Sequence, residues 1–359
     1  MRFSAGTYLP VFLLAMVSAA ACKLKATPPA SAASDAGMAA AVPTDAGPLG
    51  TMQDAGTSVQ IALVPQYAGT ASMATWRTAK SIGHTSTVYL LKGDADSTRM
   101  AFKPDTKHGR GRYRGEIAAR QLALALGIGG RVPEVVPASF ERAQLRGVLS
   151  GPQARADFDA DVVAQGDYVY GAGIAWVEGL RFPALHQGPA RTEWESWLSA
   201  KAPVPADKRV LAASLSDMIL FDYITGNFDR WSGGNIGQVG AATTPVLYVD
   251  NDGAFLWPEP AVHLDRQREL MLRTRVFSID LYRKLDSLVR SRADFNRVLA
   301  LPAPMDPFEP PLVEAVWRRL YRAHGYVTEV CAPPDPRRRR SPDLRNMFEP
   351  SANMPCFQF

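Results

Sequence analysis

Four charged residues of types used in phosphoryl transfer follow one another along this sequence in a characteristic order. They are Lys103, Glu116, Asp229 and Asp250. Phosphoryl transfer needs a cation on the phosphates, an acid that holds this cation, a group that orients the acceptor and a carboxylate for a metal ion. Each residue alone has an ordinary structural explanation, so it is their order that predicts a phosphotransferase site.

The lysine and the glutamate form the first half of the predicted site. Lys103 follows an apolar run, and from the inner face of a strand its ammonium could reach phosphate oxygens. Glu116 lies in the first turn of the next predicted helix, where it could pair with Lys103. A solvated strand-end lysine and an acid that favours a helix N-terminus are the simpler alternatives.

The aspartates form the second half. Asp229 follows a helix end in a polar loop, where it could accept the proton of an attacking hydroxyl or simply form a turn. Asn235, six positions later, could ligate a second metal ion, although protein kinases space this pair by five. Asp250 follows an apolar strand and offers an oxygen ligand to a hard cation. Asp252, just before Gly253, is a rival for that role.

The elements that must position these residues follow from hydrophobic periodicity. A hairpin is predicted for residues 86–91 and 99–103, and further strands for 168–177 and 246–249. Helices are predicted for 115–126, 209–225 and 311–324, with two or more within 266–301. Strands first and helices later favour an α+β protein with two lobes.

Composition narrows the function classes. The 359 residues are 47% apolar and 21% charged, which is typical of a globular protein. The net charge of +5 lies partly in a run of arginines at 337–340, and no basic stripe with interleaved aromatics is present. Nucleic acid is therefore not an expected partner. A short basic stretch at 107–114 is interpreted as a solvated connection between the hairpin and the first helix.

The first 22 residues indicate export. Residues 8–17 are apolar after Arg2, and small residues lead directly to Cys22. This pattern resembles a bacterial lipoprotein signal, in which the cysteine is lipidated, although Ala19 replaces the usual leucine. A simple signal peptide is the alternative. No other stretch is long and apolar enough to span a bilayer, so we expect a lipid-anchored protein on the periplasmic or cell-surface face of a bacterial membrane.

The segments at both ends of the predicted globular part have separate interpretations. Residues 23–57 are small and polar, which predicts a flexible tether. Residues 331–359 are predicted to form a C-terminal tail. Within it, Cys331 and Cys356 remain as an even pair once Cys22 is set aside, and they could form a disulfide. Two free thiols are the alternative.

Residues 221–230 together with 248–251 closely resemble the four-jointed family of secretory-pathway kinases, which is related to the Golgi casein kinases. Residues 101–104 and 114–119 are similar to that family's nucleotide lysine and helix glutamate. The resemblance covers about residues 75–325. It implies an atypical kinase-like two-lobed fold, with a β-rich N-lobe at 58–178 and a mostly helical C-lobe at 179–330.

The resemblance also implies roles for individual residues. Lys103 would contact the phosphates of ATP, Glu116 would pair with it, and Asp229 would be the catalytic aspartate. Asp250, rather than Asp252, would bind Mg or Mn. Residues 176–178 would form the hinge that meets the adenine, and a Ser/Thr of an exported protein or a glycan hydroxyl would be the acceptor.

The sequence departs from the family in two places. Trp231 stands where the casein-kinase branch carries histidine, and residues 81–85 offer only one glycine for a phosphate loop. The alternative to an active kinase is a nucleotide-binding or inactive pseudokinase that serves as a surface binding module. A related nucleotidyl or phosphate transferase, and a lectin-like or structural lipoprotein, also remain open. Retention of all four charged positions favours activity, whereas the scarcity of ATP outside the cytoplasm favours the pseudokinase.

Overall fold

The computed structural model describes residues 76–83, 86–93 and 99–331. Its first part is built on a five-stranded antiparallel sheet with the strand order β1-β2-β3-β5-β4. The strands are β1 (Trp76–Ser81), β2 (Tyr89–Gly93), β3 (Arg99–Pro104), β4 (Val135–Glu141) and β5 (Tyr168–Ile174). A separate two-stranded hairpin follows later, formed by β6 (Ile236–Gln238) and β7 (Val246–Tyr248).

The described chain also contains α-helices. They are α1 (Tyr113–Ala125), α2 (Arg142–Val148), α3 (Pro152–Asp161), α4 (Gly188–Leu198), α5 (Arg209–Thr225), α6 (Ala261–Arg273), α7 (Ile279–Val289), α8 (Arg292–Val298) and α9 (Pro310–Cys331). In the described part of the chain, no helix combines the length and the apolar character that crossing a membrane requires.

Both faces of the sheet are buried at β3, and this determines where Lys103 points. Side chains alternate along β3, so Phe102 lies on one face while Ala101 and Lys103 lie on the other. Phe102 packs edge-on against Phe140, at 4.7 Å between ring centroids, in a core shared with α2 and α3. Ala101 belongs to the opposite core together with Ile117 of α1. Lys103 is therefore directed toward α1.

The helical part is organised around α5. Every residue of α5 from Leu211 to Thr225 is buried, as expected of a helix that is apolar on all sides. It contacts α4, α6, α9 and β7. The helix ends at Gly226, whose φ of 69° lies in the left-handed region that glycine adopts without a steric penalty. This turn directs the chain into the loop that carries Asp229.

The predicted fold class is confirmed, because an antiparallel sheet precedes a mostly helical part. The predicted hairpin is β2–β3, and the helix predicted at 209–225 has the bounds of α5. The helix predicted at 311–324 is longer, since α9 continues to Cys331. The predicted boundaries of the lobes stay predictions. Residues 1–22, the tether at 23–57 and Cys356 lie outside the described residues.

Candidate active site

Lys103 is the centre of the first half of the site. Only 5% of its side chain is exposed, and its Nζ lies 2.9 Å from Glu116, 2.6 Å from Asp250 and 3.0 Å from Asp252. The glutamate comes from α1, whereas the aspartates come from the turn after β7. Residues far apart in the sequence thus meet at one ammonium group, and negative charge exceeds positive charge around it.

This charge distribution shifts the pKa values of Lys103, Asp250 and Asp252. Burial opposes the charge on Lys103, but the carboxylates of Asp250, Glu116 and Asp252 outweigh it and hold its pKa well above its ordinary value. Burial also opposes the charge on Asp250, yet its pKa is lowered because Lys103 lies so close. For Asp252, burial dominates and raises the pKa to about 6.

Helix α1 packs directly against the turn that carries Asp250 and Asp252. The second oxygen of Glu116 accepts a hydrogen bond from the backbone N–H of Asn251 at 3.0 Å. A Cβ at Gly115 would lie 2.8 Å from the carbonyl oxygen of Asn251 and 2.9 Å from that of Ala254. Because real side chains do not approach that closely, glycine at position 115 permits this contact, and the contact brings Glu116 to Lys103.

The turn after β7 holds Asp250 in an unusual backbone conformation. Its φ of 55° lies in the left-handed region, which aspartate tolerates better than most residues with a Cβ. Residues held in this way are typical of functional sites, where the surrounding structure compensates for the strain. The Asp250 side chain is 31% exposed, compared with 8% for Asp252.

The Asp229 loop is fixed by amide side chains. The side-chain oxygen of Asn227 accepts a hydrogen bond from the backbone N–H of Asp229 at 3.1 Å. Asn235 donates its amide to the carbonyl oxygen of Asp229 and to one carboxylate oxygen, both at 3.0 Å. Gln267 of α6 in turn donates to the backbone oxygen of Asn227. The carboxylate of Asp229 is therefore oriented by hydrogen bonds through the residues on both sides of it.

Arg230, which the sequence analysis did not single out, joins the two halves of the site. Its side chain is fully buried and pairs with Asp222 of α5 at 3.1 Å. It also donates to the backbone oxygen of Asn235 at 2.6 Å, to that of Val249, and to the side-chain oxygen of Asn251 at 2.6 Å. Its position next to Asp229 was the one signal that the sequence offered, and that position does not reveal its burial.

Two cavities open on the site. The first, of about 370 Å³, is lined by Lys103, Asp252, Arg112 and the segment around Gly83. The second, of about 430 Å³, is lined by Asp229 together with residues of α6 and the ring of Trp231. The charged centre around Lys103 and the carboxylate of Asp229 are thus reached from different sides.

The sequence and the structure were compared with those of known proteins. No protein-family model and no curated protein matches the sequence. The Golgi casein kinase aligns with a TM-score of 0.53 at 15% identity over 72% of this chain and 73% of its own. The same kinase with Mn/ADP bound gives 0.51 at 16% over the same shares. Hydra Fam20, solved with sugar, gives 0.55 at 18% over 72% of this chain and 86% of its own.

The chain has the fold of these kinases. The predicted kinase-like architecture is therefore confirmed, and at these identities the likeness concerns the fold alone. On this fold, the structure brings Lys103, Glu116 and Asp250 together, and it places Asn235 against Asp229. The functional roles of these residues stay predictions.

The predicted hinge, metal site and cysteines were also examined against the described residues. Trp176, at the start of the predicted hinge, is buried beside Ile174, while Glu178 is exposed and pairs with Arg99 at 3.1 Å. Within the described residues, no group of three or more His, Cys, Asp or Glu side chains is arranged to hold a metal ion. Cys22 lies outside the described residues, and so does the partner in the predicted disulfide of Cys331.

Proposed function

We propose that this protein is an exported kinase that uses ATP and a divalent metal to phosphorylate a hydroxyl of a protein or a glycan. One observation carries this proposal: the buried Lys103–Glu116 pair is joined to Asp250, next to a loop that presents Asp229. Protein kinases require such a lysine–glutamate pair and a metal-binding aspartate to be in place together.

The charge around Lys103 fits a divalent cation. One ammonium group faces three carboxylates, and hard cations such as Mg or Mn take carboxylate oxygens as ligands. Asp250 would hold the metal, with Asp252 as a second candidate ligand because both carboxylates meet at Lys103, and the metal would compensate for the negative charge of the phosphates. The Golgi casein kinase, whose fold the chain shares, has been solved with Mn/ADP bound, which supports this choice of cofactors.

In the proposed transfer, the protein's own residues have separate roles. Lys103 binds phosphate oxygens from the side of the first cavity, and Glu116 keeps its ammonium in place. Asp229 accepts the proton of the acceptor hydroxyl, which enters through the cavity of about 430 Å³. Asn235 holds one oxygen of the Asp229 carboxylate, so the other oxygen can face the acceptor.

The test is phosphoryl transfer by the purified full-length chain. The chain is incubated with labelled ATP, Mg or Mn, and candidate exported proteins and glycans. We expect metal-dependent label transfer that is lost in Asp229→Ala and Asp250→Ala and kept in Asp207→Ala, an exposed control. Nucleotide-dependent thermal stabilisation without any transfer would identify the pseudokinase, and the absence of both responses would refute either function.

The place of action is a separate proposal. It rests on the sequence of residues 1–22 and on Cys22, through which the chain would be anchored to the membrane. Fractionation of cells that express the wild-type chain or Cys22→Ala tests it. We expect the wild type in the membrane fraction and the variant in the soluble exported fraction. Equal distribution of the two would contradict lipid anchoring.

A further inference from the structure

The basic stretch between β3 and α1 contains one cation that differs from the rest. Four of its five basic residues have polar partners, namely Lys107 with the oxygen of Ala160 at 2.6 Å, His108 with Asp161 at 2.7 Å, Arg110 with Asp105 at 3.5 Å, and Arg114 with the oxygens of Asp306 and Pro307 at 3.2 Å. Among the described residues, the side chain of Arg112 forms no hydrogen bond or ion pair. The solvated connection expected from the sequence therefore describes the stretch incompletely.

Arg112 is held beside the catalytic loop by an aromatic ring. Its guanidinium carbon lies 5.6 Å from the centroid of Phe228, the residue that precedes Asp229. A cation–π contact of this kind uses the charge of the guanidinium and none of its hydrogen bonds. The contact therefore orients the cation and leaves its hydrogen-bond donors free.

The same guanidinium faces the Lys103 side of the site. Arg112 lines the cavity of about 370 Å³ together with Lys103 and Asp252. The ring contact and the cavity wall thus place one cation beside both the aspartate turn and the Asp229 loop.

A free cation at this position suits a phosphate. Arginine binds phosphate through two parallel N–H groups, and the transferred phosphoryl group carries charge on three oxygens that must be stabilised. Lys103 already contacts three carboxylates, so it supplies only part of this stabilisation. Arg112 is suitably placed to supply more.

We propose that Arg112 is a catalytic residue that hydrogen-bonds the γ-phosphoryl group of the nucleotide; this role rests on the proposed kinase function. In the transfer, a bond forms between the acceptor oxygen and the γ-phosphorus while the bond from that phosphorus to the β–γ bridging oxygen breaks. The bridging electron pair leaves with ADP, and the acceptor proton passes to Asp229. Arg112 keeps its protons and stabilises the charge on the oxygens of the γ-phosphoryl group during the transfer.

The experiment compares ATP with ADP, because only ATP carries the γ-phosphoryl group. Affinities of the full-length chain for both nucleotides are measured by calorimetry with Mg or Mn present, and the transfer rate is measured at saturating acceptor. In Arg112→Gln we expect an affinity for ATP about tenfold lower, a nearly unchanged affinity for ADP, and a rate lower by on the order of 10². Arg112→Lys should restore part of the rate.

The neighbouring arginine provides a matched control. Arg110 belongs to the same stretch, is exposed and pairs with Asp105, so Arg110→Gln should match the wild type in every measurement. Equal losses of ATP and ADP affinity in Arg112→Gln would overturn the proposal. So would an unchanged ATP affinity with a raised KM for the acceptor, which would assign the guanidinium to an anionic acceptor group.

Failure of this proposal and failure of the kinase function give different results. A wild-type chain that binds no ATP overturns the kinase function, and the role of Arg112 with it. A wild-type chain that transfers phosphate at a rate that Arg112→Gln matches overturns the role of Arg112 alone. Thermal melting of both Arg112 variants shows whether they are folded, and a rate that falls in Arg112→Gln only as far as its folded fraction falls also overturns the role.

Discussion

Lys103 and Arg230, two buried cations of the site, differ in the charge of their partners. Lys103 faces three carboxylates, contributed by α1 and by the turn after β7. Arg230 faces one carboxylate, that of Asp222, and directs its other nitrogens to neutral oxygens of Asn235, Val249 and Asn251. One cluster has an excess of negative charge, and the other is balanced.

This difference distinguishes the Lys103 cluster, which is proposed to bind ligands, from the Arg230 cluster, which stabilises the surrounding loops. Arg230 is paired with one carboxylate and hydrogen-bonded at every side-chain nitrogen, so its cluster stabilises the loops that it joins. The Lys103 cluster holds uncompensated carboxylates in a buried place, which is unfavourable until another cation binds there. Under the proposed function, this excess of negative charge is the place for the cation of a metal–nucleotide complex.

Removal of Lys103 should have the largest effect on activity. In Lys103→Met we expect the transfer rate to fall by on the order of 10³, because the phosphates lose their direct cation. The variant should also be less stable, because Glu116, Asp250 and Asp252 lose their shared cation, although Asp252 can take up a proton and Glu116 still accepts the N–H of Asn251. Transfer kinetics and circular dichroism test this, and a rate within tenfold of the wild type would contradict it.

Removal of Arg230 should act on stability instead. Arg230→Met leaves Asp222 buried without a partner, which should lower the free energy of unfolding by about 4 kcal/mol. Urea denaturation measures the change. The double variant Arg230→Met/Asp222→Leu should regain part of the loss, because it removes both charges. A single-variant loss below about 1 kcal/mol would show that the cluster is not a scaffold.

Asp217 extends the comparison to a buried carboxylate with an oxygen that lacks a hydrogen bond. Burial raises its pKa from 3.8 to about 7, against the opposing effect of Arg131. Between these values the folded chain keeps a proton that the unfolded chain has released, so stability falls as pH rises through this range. Asp217→Asn should remove the decline and raise the free energy of unfolding at pH 8 by about 4 kcal/mol.

Urea denaturation at pH 5 and pH 8 provides the measurement. Asp207→Asn is the matched control, since Asp207 is exposed and its variant should follow the wild-type pH profile. Parallel profiles for the wild type and Asp217→Asn would show that the carboxylate of Asp217 does not titrate in this range.

Gln267 is expected to give the smallest effect. Its side chain lines the cavity shared with Asp229, and its side-chain oxygen lacks a hydrogen-bond partner. Gln267→Met removes the hydrogen bond to the backbone oxygen of Asn227, which supports the Asp229 loop, so we expect the transfer rate to fall about fivefold while the KM for ATP stays unchanged. Arg268→Gln, on the exposed side of α6, is the control. A raised KM for ATP would place the effect elsewhere.

The elements that carry the site were predictable because their signals are local. The run of residues that forms α5 is long, and Gly226 marks its end, so the position of Asp229 just beyond it follows from sequence alone. The order of Lys103 and Glu116 across a hairpin and a helix start was equally visible. Their contact at 2.9 Å fits the spacing that suggested the pair.

Features that depend on packing were not predictable. Helices α2 and α3 have 7 and 10 residues, and helices this short depend on packing against the rest of the fold. No local signal shows that Arg230 is buried, because its partners lie on α5 and after β7. The same limit applies to Arg112, whose four basic neighbours look equivalent to it until their partners are known.

The close approach of Gly115 to the backbone of Asn251 and Ala254 bears on how such a protein would be controlled. In many kinases, phosphorylation of a loop or movement of a helix must first bring the lysine and glutamate together. Here the backbone contact seats α1, and the pair forms within a single unmodified chain. An enzyme assembled in this way would need no activating modification, and its activity would depend only on the arrival of nucleotide and acceptor.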